Sequence, residues 1–232
     1  MTTVLLVRHG QASFGTSHYD RLSELGADQA RRAGSAIARR YPRVTSLLSG
    51  GLERQQESAR AALTEIPFDG DVRPDIRFNE YRTKELFAAY LAAATESDPI
   101  IAAAGESWTA DRVLFWRVLR QVTQRWSEDK TPPPDMESWP AFRSRVASAL
   151  QDALADLSRS DVAVIFTSAG VIAAAVGIAL DLRAAQIFSL NWRIYNASIC
   201  TLHYGTEGFA LAGFNEVGHL APAGSQTILT YW

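Results

Sequence analysis

Short, largely apolar runs take turns along this chain with longer stretches whose apolar residues keep helical spacing. The first run fills the six residues before Arg8, the second residues 44–48 and the third residues 162–167. Each has the length of a buried strand, and the third also has the continuity of one buried on both faces. Behind the first, Ser23 stands at a helix N-cap, and Leu25, Ala33, Ile37 and Tyr41 keep helical spacing to about Arg40, with Pro42 as the stop. Behind the second, Ser49-Gly50-Gly51 turns the chain into a helix over residues 53–63, and behind the third an apolar helix covers residues 170–180. Strand, turn and helix in repeated order predict an α/β protein: a three-layer αβα sandwich with a mostly parallel sheet.

The remaining segments fill in around that frame. Residues 14–21 form a polar loop containing Gly15, residues 67–74 a second loop, and residues 76–78 a short strand. From residue 81 to 129 the pattern becomes helical, in segments split near Asp98-Pro99 and Gly105-Glu106, the second carrying Trp108, Phe115, Trp116 and Trp126. This stretch reads as a helical cap insert over the carboxyl edge of the sheet, inside a single domain spanning residues 1–232. Residues 131–135 hold three consecutive prolines and make a stiff connector into a helix over residues 137–157. Residues 196–204 and 209–214 pair as a hairpin around residues 205–208, adding an antiparallel edge.

Composition narrows the function. A net charge of −2 over 232 residues gives no polyanion-binding signature, so neither nucleic acid nor an anionic membrane is an expected partner. Cys200 is the only cysteine, which excludes an intrachain disulfide and suits a reducing, cytoplasmic location. No apolar run reaches membrane-spanning length, and the first is too short for a secretory signal. The four histidines have no metal-ligand spacing, so no metal and no cofactor are expected. Oligomeric state is left open, although Tyr231-Trp232 would offer a contact surface if exposed.

Candidate chemistry concentrates where the first strand ends, at Arg8-His9-Gly10. In an open parallel sheet ligands bind outside the carboxyl ends of the strands, and Gly10 lets the backbone turn away without obstructing them. Arg8-His9-Gly10 in this position, followed by Leu22-Ser23-Glu24-Leu25-Gly26 and Gln29-Ala30, resembles the histidine phosphatase superfamily in its phosphoglycerate mutase-like branch. The resemblance implies a phosphohistidine at His9, formed on a small phosphorylated substrate without metal. Imidazole suits that role, because its nitrogen is basic enough to attack phosphorus and leaves well enough to release it. It must be neutral to attack, and Arg8 and Arg54 would favour the neutral ring while binding phosphate. Arg54 opens the helix after the second strand, where an arginine fork and helix amides converge on an anion.

Glu80 resembles the family's general acid, with Glu85, about one helical turn further on, as a rival. Gln11 and Ser13 fall where relatives place polar side chains on the phosphate, and Ser168 offers a hydroxyl. The departure is at Ser168-Ala169-Gly170: Ala169 stands where the family usually has a second histidine that donates to the phosphoryl oxygens. It reads equally as a natural variation or an introduced substitution. His219, in Asn215-Glu216-Val217-Gly218-His219-Leu220, resembles an element that supports the site, while His18 and His203 read as rim and sheet-surface residues. Arg77, Arg82, Arg112, Arg117 and Arg120 lie near the aromatics of the insert, which serve either an organic-phosphate pocket or helix packing. Two rivals to hydrolysis remain: a mutase, which would exclude water, and a phosphate-binding homologue without turnover.

Overall fold

The structure is a computed structural model that describes residues 1–13, 20–105, 111–221 and 228–231, without the Arg112 side chain. His18, Gly15, Trp108 and Trp232 therefore lie outside the described residues. The chain runs β1 (Thr2–Arg8), α1 (Glu24–Arg40), β2 (Ser46–Ser49), α2 (Glu53–Leu63), β3 (Arg73–Pro74), α3 (Thr83–Ser97), α4 (Pro99–Ala104), α5 (Arg112–Glu128), α6 (Trp139–Leu154), β4 (Val162–Thr167), α7 (Ala169–Ala179), α8 (Ala184–Asn191), β5 (Ile199–Gly205) and β6 (Gly208–Glu216).

The six strands form one sheet in the order β3-β2-β4-β1-β5-β6. The first four of that order are mutually parallel, and β5 and β6 add the antiparallel edge. The alternating side chains of the strands face two cores. Leu5, Val7, Leu47, Val164 and Phe166 meet Ala33 and Ile37 of α1 and Ala59 and Ala62 of α2. Val4, Leu6, Leu48, Ala163 and Ile165 meet Phe142, Val146 and Leu150 of α6 and Ile172 and Val176 of α7. The sheet thus lies between two helix layers, the expected three-layer α/β architecture. Register places the site: Arg8 pairs with Thr167 and Ser49 with Phe166, so β1, β4 and β2 end side by side at their carboxyl edge.

Several boundaries differ from the sequence expectation, each for a local reason. Residues 76–78 form a 3₁₀ turn rather than a strand, because the Asp75 carboxylate accepts from the Arg77 amide at 2.9 Å and caps it. The strand lies instead at Arg73–Pro74, inside the expected loop. Helix α6 starts at Trp139 because Ser138 caps it, accepting from the Ala141 amide at 3.2 Å, and Pro140 fits its first turn. Helix α8 is not signalled by spacing at all. The hairpin strand β5 begins only at Ile199, since Ala197 takes a positive φ of 53° and cannot continue a strand.

Helix α5 packs on α6 and α8, and α3 and α4 pack on α5; aromatic rings line the contact, with Trp116 on Trp192 at 5.4 Å, Trp126 on Trp139 at 5.3 Å, and Tyr81 on Trp126 at 5.1 Å. No helix among the described residues is long and apolar enough to cross a membrane, and no group of three or more metal-ligating side chains occurs among them.

Candidate active site

His9 follows directly on β1, buried, with its amide donating to the Thr167 carbonyl at 2.8 Å. The chain can turn here only because residues 10 and 26 are both glycine: a Cβ at Gly10 would sit 2.1 Å from the Gly26 carbonyl oxygen. The Gly10 amide donates to Ser58 Oγ at 3.0 Å, and that hydroxyl donates in turn to the Arg54 carbonyl at 2.7 Å. One serine thus fastens the turn after His9 to helix α2.

The ring of His9 is fixed from both sides. Its Nδ1 lies 2.7 Å from the Gly10 carbonyl, which can only accept, so Nδ1 carries the proton and Nε2 presents a lone pair. Arg54 Nε donates to that lone pair at 3.2 Å, which requires the same tautomer. Burial, foremost, and the nearby Arg54 and Arg8 guanidinium groups hold the His9 pKa well below its ordinary value, against a weaker opposing pull from the Gly10 carbonyl. A neutral imidazole with Nε2 facing a cation results.

Arg54 lies in the first turn of α2, and its Nη1 is ion-paired to Asp20 Oδ1. The other oxygen of Asp20 accepts from the Glu53 amide at 2.9 Å. Arg8 reaches its place differently, with Nη1 donating to the Ile194 carbonyl and Nη2 to the Tyr231 carbonyl at 2.7 Å. Its charge still bears on both His9 and Glu80.

Glu80 packs against the start of α7, with Oε2 accepting from the Gly170 amide at 2.9 Å and Oε1 from the Tyr81 amide at 3.1 Å. A Cβ at Gly170 would come within 2.1 Å of Glu80 Oε1, so glycine is required for this approach. Burial raises the carboxyl pKa and outweighs the opposing effects of the Gly170 amide and Arg54. Glu85, by contrast, pairs with Arg82 at 3.6 Å with nearly half its side chain exposed. Of the two carboxylates, it is Glu80 that shares the field of Arg54 and Arg8.

The other candidate residues divide. Ala169 opens α7, buried, and offers no donor from its side chain. Ser168 accepts from Gln55 Nε2 at 2.8 Å, buried beneath the turn. Gln11 Oε1 accepts from Ser23 Oγ at 3.0 Å, and Ser13 Oγ donates to the Leu22 carbonyl at 3.0 Å, so both side chains brace the loop toward the start of α1. His219 Nε2 lies 2.9 Å from the Ala197 carbonyl, and the Ala197 amide in turn donates to the carbonyls of Arg8 and His9. Ala197 thus stands between His219 and the end of β1. His203 lies against Thr3 on the sheet, Nδ1 to Oγ1 3.4 Å.

Four side chains of the site carry no sequence signal. Gln55 donates to both Ser168 Oγ and the Phe78 carbonyl at 3.1 Å, joining α2 to the ends of β4 and the Glu80 turn. Asn196 donates to the His9 carbonyl at 3.2 Å and accepts from Thr230 at 3.0 Å. Asn191 donates to the Tyr81 hydroxyl at 3.3 Å. Asp20, on Arg54, is the fourth. Their partners lie far away in sequence, which no motif or periodicity reveals.

Known proteins match this chain in sequence and in fold. The profile of the histidine phosphatase superfamily (branch 1) matches residues 4–110 and 114–217. A 2,3-bisphosphoglycerate-dependent phosphoglycerate mutase of Rhizobium etli is 30% identical over 153 residues, 63% of this chain; the match spans 64% of that relative's own length. Among solved structures, YhfR of Bacillus stearothermophilus superposes with a TM-score of 0.64 at 17% identity, over 94% of this chain and 99% of that one. A mycobacterial glucosyl-3-phosphoglycerate phosphatase superposes with a TM-score of 0.61 at 20% identity, over 92% and 98%. A phosphoserine phosphatase of Entamoeba histolytica does so with a TM-score of 0.63 at 16% identity, over 95% and 100%. These structures share the fold, and the sequence profile covers nearly the whole chain: the protein belongs to branch 1 of the histidine phosphatase superfamily.

Proposed function

We propose that this protein hydrolyses small phosphomonoesters through a phosphohistidine at His9. The observation that carries the reading is the state of the His9 ring: Nδ1 bonded to the Gly10 carbonyl and Nε2 facing Arg54, neutral and aimed by two fixed contacts. As a phosphoryl group arrives, Arg54 Nε gives up the lone pair and takes a phosphoryl oxygen. Nε2 then forms a bond to phosphorus while the ester P–O bond breaks. Glu80, whose raised pKa suits a proton donor, passes its proton to the departing alkoxide. In the second half, Glu80 as carboxylate takes a proton from water, water oxygen bonds phosphorus, and the N–P bond breaks to return His9. Arg8 and Arg54 offset the charge on the phosphoryl oxygens.

Ala169 sets the expected level of activity. Where relatives of the family place a donating imidazole, this chain has a methyl group, and loss of one such donor costs on the order of 10² to 10³ in rate. Helices α3 to α5 act as the cap that selects the organic part of the substrate. A mutase reading is favoured by one observation, the Rhizobium etli relative that bears that name. Against it, residues 81–90 contain no glycine and only Arg82 and Lys84 as basic residues, so the basic, glycine-containing segment expected there is missing. The test is turnover of a generic aryl phosphate. Wild type releases phosphate slowly, His9→Ala not at all, and Ala169→His faster than wild type by about tenfold or more. Phosphate binding without turnover in both wild type and Ala169→His would contradict hydrolysis and favour the non-catalytic homologue.

A further inference from the structure

We infer that Asp20 is the positioning residue of the phosphate site, the group that turns the Arg54 fork toward His9; the inference rests on the reading of His9 as nucleophile. A guanidinium offers two edges, and a flexible arginine at a helix start can present either. Here the outer nitrogen, Nη1, is taken by Asp20 Oδ1, while Nε points at His9 Nε2. The edge left facing the nucleophile is the side-on fork of Nε and Nη2, the one that engages two oxygens of a tetrahedral anion at once.

Asp20 is itself held. Its second oxygen accepts from the Glu53 amide at 2.9 Å, so the carboxylate bridges the backbone at the start of α2 and the side chain of the next residue. Two residues on, the Leu22 amide donates to Glu57 Oε2 at 2.7 Å, and Arg21 pairs with Glu57 at 3.4 Å. Residues 20–22 are thereby strapped along the first turns of α2, and Arg54 is left with one orientation. The Arg54 side chain is 15% exposed and that of Asp20 37%, so the guanidinium end of the pair is shielded while the carboxylate still meets water. A single carboxylate in a polar loop, unmarked by any motif, thus decides which way the phosphate ligand faces.

The test compares wild type, Asp20→Asn and Asp20→Glu in aryl phosphate kinetics, in binding of inorganic phosphate by calorimetry, and in thermal melting. Asp20→Asn removes the charge that fixes Nη1. It is expected to raise KM and the phosphate Kd together by about tenfold to a hundredfold, the range for one charged hydrogen bond. Its kcat falls less, its melting temperature stays near that of wild type, and Asp20→Glu recovers part of the loss. If KM and Kd fall instead, Asp20 competes with phosphate for Arg54 and the inference is overturned. Unchanged KM and Kd in an active enzyme overturn it too, and leave the phosphatase reading standing. Wild type that neither binds phosphate nor turns over substrate overturns both.

Discussion

At the residue scale, two groups of the candidate site have proton affinities that move in opposite directions. His9 is held below its ordinary value of 6.5 chiefly by burial, and Glu80 is raised by burial. The reactive form needs His9 without a proton on Nε2 and Glu80 with one, so activity requires a pH above the first and below the second. The kcat/KM of wild type should therefore hold as pH is lowered through 6.5 and decline only further down, with the alkaline limb set by Glu80. A profile that falls with an ordinary histidine midpoint contradicts this. The same depression links folding to acid: the contribution of neutral His9 to stability is complete above 6.5 and is lost as pH falls toward the folded-state value. His9 and Arg54 were legible as candidates because each follows closely on the end of a recognisable strand, and Glu80 through its resemblance to the family's general acid, since the run before it is a turn rather than the expected strand. Asp20, Gln55 and Asn196 were not, since each acts through a partner that only the fold brings near.

At the element scale, the frame of strands and helices was legible because burial on both faces leaves unbroken apolar runs in β1 and β4. The parts that were not legible depend on single side chains. The Ile-Arg-Phe run at 76–78 fits strand or turn equally, and the Asp75 carboxylate selects the turn. Helix α8 has eight residues, too few for spacing to stand out. The joints between elements are where the site is most sensitive. Ser58 links the Gly10 amide to α2, and Ser58→Ala would leave that buried amide without its acceptor. Such a loss costs about 1–3 kcal/mol. It should lower the melting temperature and, by loosening the turn after His9, lower kcat on an aryl phosphate as well. A variant that loses stability while keeping full kcat would show that the joint serves folding alone.

At the scale of the whole molecule, the edge of the sheet that carries the candidate site is assembled from segments that span nearly the full chain. Arg8 donates to the Tyr231 carbonyl, Gln29 donates to the Ile228 carbonyl at 2.7 Å, and the Asn196 amide donates to the Thr230 carbonyl at 2.9 Å. Residues 228–231 are in this way stitched to the end of β1, to α1 and to the segment before β5. On the opposite face of the sheet from α1 and α2, the aromatic ladder seats α5 on α6 and α8, and the Tyr81–Trp126 contact joins that ladder to the residue next to Glu80. On the proposed reading, substrate selection and chemistry meet at Glu80-Tyr81, while His9 and the arginines that would hold phosphate meet at β1 and α2. The claim on which all of this depends is that phosphorus is transferred to His9, and it is tested most directly by quenching wild type in alkali during turnover of an aryl phosphate and locating the phosphoryl group by peptide mass spectrometry. The account predicts a phosphoryl group on the peptide containing His9, stable in alkali, lost in acid and absent from His9→Ala; turnover with no such adduct, or with the phosphoryl group on another residue, would contradict it.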